Sequence, residues 1–339
     1  MPYASAMAQI AAAVRDPSVS TVRRRPGSVR RTSHMDIGFL DGGGLALTGA
    51  SRDLKTSALG ADVVLGAARL RALIGPTRLL EKLEVSPDAD TSKLIGVAVS
   101  GGFRSVVDET VPEHRANHSP LYLLLDDLPV VALISGYAVL YRGADQPSQP
   151  ISVSSNERPS PGRGPRVDIC AGWRGDGMMM TAIASGDGTP TPIGPSAPIL
   201  ESPDDPLAWH AVPSLPAGSM RRRRLIDLSG DGEMLQVSAM FRDTHVDELE
   251  VETVLHEYEL EMEVDAQTMV VTSCEARPRT LPWPECPAAA DSARRLAGHR
   301  VAELRSLVRA EFRGISTCTH LNDLLRSLAD VAILVRSLD

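Results

Sequence analysis

The sequence predicts an α+β fold of two pseudo-symmetric repeats, each an antiparallel sheet followed by two helices, closing on one another as an internal pseudo-dimer. Three observations carry that expectation. First, Asp41-Gly42, Leu45, Leu47, Thr48 and Arg52-Asp53 return as Asp231-Gly232, Leu235, Val237, Ser238 and Arg242-Asp243 at one constant offset of 190 residues. Self-similarity of this kind fixes an architecture before any propensity is consulted. Second, Leu121, Leu124, Leu125, Leu128, Val131 and Ala132 fall on Leu321, Leu324, Leu325, Leu328, Val331 and Ala332 at an offset of 200, with the spacing of one apolar helix face. Third, residues 256 to 264 alternate charged with less polar side chains, the pattern of a strand with one wet face.

Taken in order, residues 1–29 carry no firm pattern and are expected to be poorly ordered. Repeat 1 spans 30–141. Its Asp41-Gly42 reads as a hairpin turn, because Asp-Gly readily takes the positive φ such turns need. Residues 63 to 74 turn at Gly75-Pro76 into 78 to 85. The block Phe103-Arg104-Ser105-Val106-Val107 then matches Leu304-Arg305-Ser306-Leu307-Val308 as a first helix. The second helix starts at Ser119 as N-cap with Pro120 in its first turn, and Pro129 is expected to kink or end it. Residues 142–221 form a Pro/Gly-rich linker holding one hairpin near 167–183. Repeat 2 spans 222–339: residues 254 to 264 turn at 265–267 into 268 to 275, and the last helix is capped by Thr319, with Ala329 letting it run on.

The chain carries 43 acidic against 35 basic side chains, a formal net charge of −8, which excludes a protein that coats nucleic acid through positive charge. At 339 residues and 43% apolar composition it can bury a substantial core. Cys170, Cys274, Cys286 and Cys318 lie far apart with no amino-terminal apolar leader, so reduced thiols in a cytoplasmic protein are expected. The longest apolar run, 121 to 141, is broken by Asp126 and Asp127, each costing about 2.5 to 3.5 kcal/mol at a bilayer centre, so it is expected to be a buried element and no membrane partner is implied.

Several segments resemble a known family. Leu281-Pro282-Trp283-Pro284-Glu285-Cys286-Pro287, Leu296-Ala297-Gly298 and Cys318-Thr319-His320-Leu321-Asn322-Asp323 look like the bacterial family called domain of unknown function 2889. Arg30-Arg31-Thr32-Ser33-His34-Met35-Asp36 and Leu124-Leu125-Asp126-Asp127-Leu128-Pro129 are similar to that family's other segments, so the resemblance runs from about residue 30 to the end. It implies a bacterial, intracellular protein and assigns no activity.

Among chemically competent residues, Cys318 and His320 stand out. A cysteine just ahead of a helix faces a partial charge of about +0.5 that favours thiolate, and His320 with Asp323 one turn on supplies a base and its orienting carboxylate. In the competing reading, Cys318 is a small buried hydrophobe and His320 a helix-end residue bonded to backbone. A metal reading joins Cys286, and also Cys274, to Cys318 and His320, although no close ligand pair supports it. His256-Glu257 is not a zincin start, since Leu260 stands where the second histidine belongs.

His118 holds in repeat 1 the place of Cys318. Asp126 and Asp127 read either as a paired acid and base or as a solvated, salt-bridged edge. The arginine clusters that open the repeats, represented by Arg31 and Arg224, fit a small anionic organic ligand, or else pair with acidic residues including Asp53 and Asp243. Neither a phosphate loop nor a serine elbow is present. Two functional classes follow. One is a small-molecule enzyme acting on an organic acid or its thioester, with Cys318 and His320 at a cleft between the repeats. The other is a non-catalytic small-molecule-binding or accessory protein.

Overall fold

A computed structural model describes residues 9–144, 167–230 and 232–338. The protein is a mixed α and β structure organised on one nine-stranded antiparallel sheet. The strands of the protein, of which β1 and β7 form a separate two-stranded parallel sheet, are β1 Gln9–Ala11, β2 Val14–Arg15, β3 Ser28–Phe39, β4 Leu45–Thr56, β5 Asp62–Ile74, β6 Leu80–Ser86, β7 Thr191–Ile193, β8 Met220–Gly230, β9 Met234–Val246, β10 Glu252–Asp265 and β11 Val270–Leu281. The helices are α1 Phe103–Thr110, α2 Pro112–Ala116, α3 Pro120–Ile134, α4 Gly136–Ala144, α5 Met178–Ala184, α6 Leu304–Glu311, α7 Thr319–Ser327 and α8 Val331–Leu334.

The sheet order is β2-β11-β10-β9-β8-β3-β4-β5-β6. Two four-stranded meanders, β3 to β6 and β8 to β11, thus join through their first strands, with Ser33 opposite Arg224 in the β3–β8 ladder. Adjacent residues of a strand face opposite sides. In β3 the odd positions Val29, Arg31, Met35 and Ile37 face the helices. The even positions Arg30, Thr32, His34 and Asp36 lie on the other side, under the segment that carries Ala208, Trp209 and His210.

Asp41-Gly42 forms the β3–β4 turn as the sequence implies, with positive φ at Gly42 (+83°) and Gly43 (+93°). Its expected counterpart Asp231 lies outside the described residues; Gly232 beside it has φ +98°. The β5–β6 and β10–β11 hairpins fall where periodicity puts them.

Apolar helix faces close one side of the sheet. Leu121, Leu124, Leu125, Leu128 and Val131 of α3 pack with Leu45, Leu47, Leu70 and Phe103, and Met220 and Leu255 of the second meander join that cluster. Leu321, Leu324, Leu325 and Leu328 pack with Val237, Phe241, Tyr258 and Trp283, joined by Val29 of the first. By length and composition, residues Pro120–Arg142 are apolar enough to cross a membrane, yet 72% of that window is buried in the protein.

Four local expectations are corrected. Residues 9–28 are tied to the rest of the protein: β1 pairs with β7, β2 extends the β11 edge, and Arg24 grips Asp205 through Nε (2.9 Å) and Nη2 (2.6 Å). Near 167–183 there is no hairpin but a 3-10 turn, Ala171–Trp173, followed by α5; the Met-rich run buries Met179 and Met180 on a helical face. The N-cap of α7 is Cys318, one residue earlier than Thr319 and without a side-chain cap, whereas Ser119 caps α3 by accepting from the Tyr122 N–H at 3.2 Å.

The fourth correction concerns the two long helices. Pro129 sits inside α3, which continues to Ile134, because burial of the apolar face on both sides of Pro129 offsets one missing backbone bond. The helical segment bearing Ala329 is the one that breaks, into a 3-10 turn at Leu328–Asp330. There Ser327 Oγ donates to the Leu324 carbonyl at 2.7 Å, and Asp330 is pulled onto Arg31 and Arg305.

Because the sheet is continuous and each core cluster borrows residues from the other meander, the two halves should unfold together. Leu125→Ala is expected to cost about 2–5 kcal/mol. Trp173, Trp209 and Trp283 all lie beyond the first meander, so urea unfolding followed by their fluorescence should still shift by the full amount. An unchanged fluorescence midpoint beside a shifted circular-dichroism transition would contradict the coupling.

Candidate functional site

Where α3, α6 and α7 meet the sheet, the apolar layer is interrupted by charge. Arg31 of β3 forms a two-pronged pair with Asp53 of β4 (Nε–Oδ1 2.7 Å, Nη2–Oδ2 2.6 Å) and extends Nη1 to Asp330 at 2.6 Å. Arg222 of β8 does the same with Asp243 of β9 (2.6 and 2.7 Å) and reaches Asp323 at 3.3 Å. Arg305 of α6 bridges Asp126 (3.1 Å) and Asp330 (2.8 Å). Arg326 of α7 bridges Asp126 (2.9 Å) and Asp323 (2.5 Å). Arg224 donates to Asp127 at 2.9 Å, and Arg104 of α1 donates to Asp323 at 3.2 Å. The six arginines and six aspartates of this group balance in formal charge.

Both Asp126 and Asp127 are 2% exposed, so the edge of α3 that the sequence left beside the apolar stripe points inward. Burial by itself would raise the Asp126 pKa; Arg326, Arg305 and Arg104 overcome it and hold the carboxyl well below the usual range. Asp127, with Arg224 as its direct donor, is shifted the other way because burial wins. Asp330 is likewise lowered, Arg31 and Arg305 outweighing its burial, and His118 Nδ1 lies 3.0 Å from its Oδ1. Arg31 and Arg224, the anion-binding candidates, are each 2% exposed; Arg31 donates to Asp53, Asp330 and the His118 carbonyl, and Arg224 donates through Nη2 to Asp127 while its buried Nε has no partner.

Cys318 begins α7 and is 5% exposed. Burial pushes its thiol up to about 12, although the backbone N–H groups of His320 and Leu321 at the helix start pull the other way. His320 Nδ1 is 3.8 Å from Cys318 Sγ. Burial, then the Arg222 charge, lowers the His320 pKa to about 3, so the ring is neutral near pH 7. Asp323 lies one turn on but faces Arg326, Arg222 and Arg104. Cys286 and Cys274 are buried and free, their thiols raised by burial.

The structure adds histidines that no spacing in the sequence brings together. His256 of β10, opposite Asp243 in the ladder, stacks on His320 with ring centres 3.9 Å apart and planes 16° from parallel. On the other side of the sheet, His34 Nδ1 lies 2.6 Å from His210 Nε2, and His210 Nδ1 lies 2.8 Å from Thr32 Oγ1. Burial, then neighbouring charge, lowers both His34 and His210 to about 3. His320 stands out in the sequence and His34 lies in a family-like segment, but nothing along the chain links either to His256 or His210.

Fold and site together define a sheet-and-helix protein with a buried, charge-balanced core and a histidine-rich flank. The family described as Protein of unknown function (DUF2889) matches residues 220–334, the second meander and the helices that follow it. No curated protein and no solved structure matches the chain.

The depressed histidines set a pH dependence. Unfolded imidazoles bind a proton below about pH 6.5, whereas His34, His210 and His320 in the folded protein do so only near 3. The unfolded state then holds more protons, so stability is complete above pH 6.5 and falls as the pH drops towards 3. Each such histidine should contribute a slope of about 1.4 kcal/mol per pH unit. Urea unfolding across this range should show it, flattened by His34→Gln with His210→Gln; a level profile in the parent protein would refute the burial argument.

Proposed function

We propose that the chain is an internally duplicated protein whose halves clasp as a pseudo-dimer across β3 and β8, and that it serves as a non-catalytic small-molecule-binding or accessory protein. Supporting the duplication are the two meanders joined first strand to first strand and the repeated strand-to-strand pairs Arg31–Asp53 and Arg222–Asp243. The helix pair Asp108–Arg309 adds to this, bridging at 2.7 Å two positions that correspond between the halves.

The observation that carries the non-catalytic reading is the state of Cys318. A nucleophilic cysteine requires thiolate and access, and this thiol is buried, protonated and followed by a carboxylate already committed to arginines. A depression of about 440 Å³ lined by Arg174, Ser292, Arg295 and Ser316 lies among residues outside the charged core. Its lining also includes Asp291, and Arg174 there is paired with Asp176, which leaves Arg295 as the guanidinium to meet the small organic anion that the sequence suggests. The 3.8 Å approach of His320 to Cys318 favours a second reading, an enzyme acting on an organic acid or its thioester, in which His320 takes the thiol proton.

Alkylation of the folded protein by iodoacetamide near neutral pH separates the two. The non-catalytic reading predicts that Cys318 is labelled far more slowly than an unstructured cysteine peptide and at the rate of global unfolding. Rapid labelling confined to Cys318 would overturn it in favour of the enzyme.

A further inference from the structure

The charged core accounts for Asp243 but leaves the two stacked rings beside it unexplained. Asp243, His256 and His320 each offer a ligand atom, and those atoms lie within 4.8 Å of one another. We propose that these three side chains form a binding site for a divalent transition-metal cation of the zinc type.

Four observations support the site. The donor set is chemically apt, since two imidazoles and one carboxylate suit zinc and its neighbours. His256 Nδ1 is inaccessible to solvent and has no hydrogen-bond partner, an omission that ordinarily costs about 1–3 kcal/mol. Asp243 is completely buried and held by both prongs of Arg222. That grip orients the carboxylate, as supporting hydrogen bonds commonly do for metal ligands, and each oxygen keeps a further lone pair. Finally, the two imidazole donors belong to one half only. At the offset of 190, His256 stands where the first half has Gly66, and at 200, His320 stands where it has Pro120. The packing contact itself is common to both halves, for a Cβ on Gly66 would lie 3.6 Å from Pro120 Cγ.

Binding changes the geometry in a way that can be observed. Lone pairs of imidazoles lie in the ring plane, so two rings 3.9 Å apart and nearly parallel cannot both meet one ion. With metal–nitrogen distances of about 2.0–2.1 Å, donors that share one ion must draw together and the stack opens. Three protein donors leave a coordination position for water or an anion.

Full-length protein titrated with Zn²⁺ by calorimetry, and with Co²⁺ followed by visible absorption, should bind one equivalent. Affinity should fall at least about tenfold in His256→Ala and in His320→Ala, a loss of about 1.4 kcal/mol, and stay unchanged in His299→Ala. Should the two variants fail to fold, imidazole ¹⁵N resonances of the parent protein decide the matter: Zn²⁺ should move those of His256 and His320 and spare the other histidines. Absence of saturable binding, binding undiminished in folded His256→Ala, or shifts confined to other histidines would each overturn the site.

Discussion

Asp126 is the pivot of the molecule. It sits on an apolar helix and is fully enclosed, and a lone carboxylate there would face a desolvation penalty of several kcal/mol. Arg305 of α6 and Arg326 of α7 both close on its Oδ2, so the helix that covers the first meander is stable in its charged form only when the helices of the second half are in place. Arg31 and Asp330 make the reciprocal demand, a strand of the first half holding the last turns of the chain. Two halves that already share a sheet are thereby made to share a charge balance on its helical side.

Such a network is a costly source of raw stability, since apolar side chains of similar volume often do as well. What it supplies is discrimination. A register slip of one residue at the β3–β8 ladder would put Arg31 on the opposite face of the sheet from Arg222 and Arg224, taking either Arg31 from Asp330 or Arg222 and Arg224 from Asp323 and Asp127, and so strand buried charges. Specific pairing of the halves therefore follows from electrostatics where leucines alone would tolerate sliding. The same commitment holds these groups away from chemistry: arginines that would bind an anion and aspartates that would trade protons face one another in the interior, although Arg224, Arg305 and Arg326 each keep a buried Nε without a hydrogen-bond partner.

Strand and helix positions were legible because periodicity reports burial, and burial decides both. The Asp-Gly turn and the leucine-faced helices needed nothing beyond local chemistry. Local chemistry misled wherever a distant partner prevailed. Pro129 remains helical because its neighbours on the apolar face are buried, Ala329 does not extend its helix because Asp330 answers to Arg31, and the Met-rich stretch near 178 reads equally well as strand or helix. Polar residues were the hardest to place. Asp126 and Asp127 resemble a wet helix edge unless one knows that Arg305, Arg326 and Arg224 wait opposite. Asp243, His256 and His320 come from two strands and a helix, so no spacing along the chain unites them. Cys318 was visible as a residue, but the thiol's protonation depends on packing that the sequence does not display.

A double-mutant cycle on Asp126 and Arg326 probes this dependence most directly. Asp126→Leu and Arg326→Leu are each expected to cost about 3–5 kcal/mol, since either one abandons a buried charge. The double substitution should recover at least about 1.5 kcal/mol of their sum, as coupled buried groups do. Additive losses within about 0.3 kcal/mol, the range of independent sites, would show that the halves are not joined through this carboxylate.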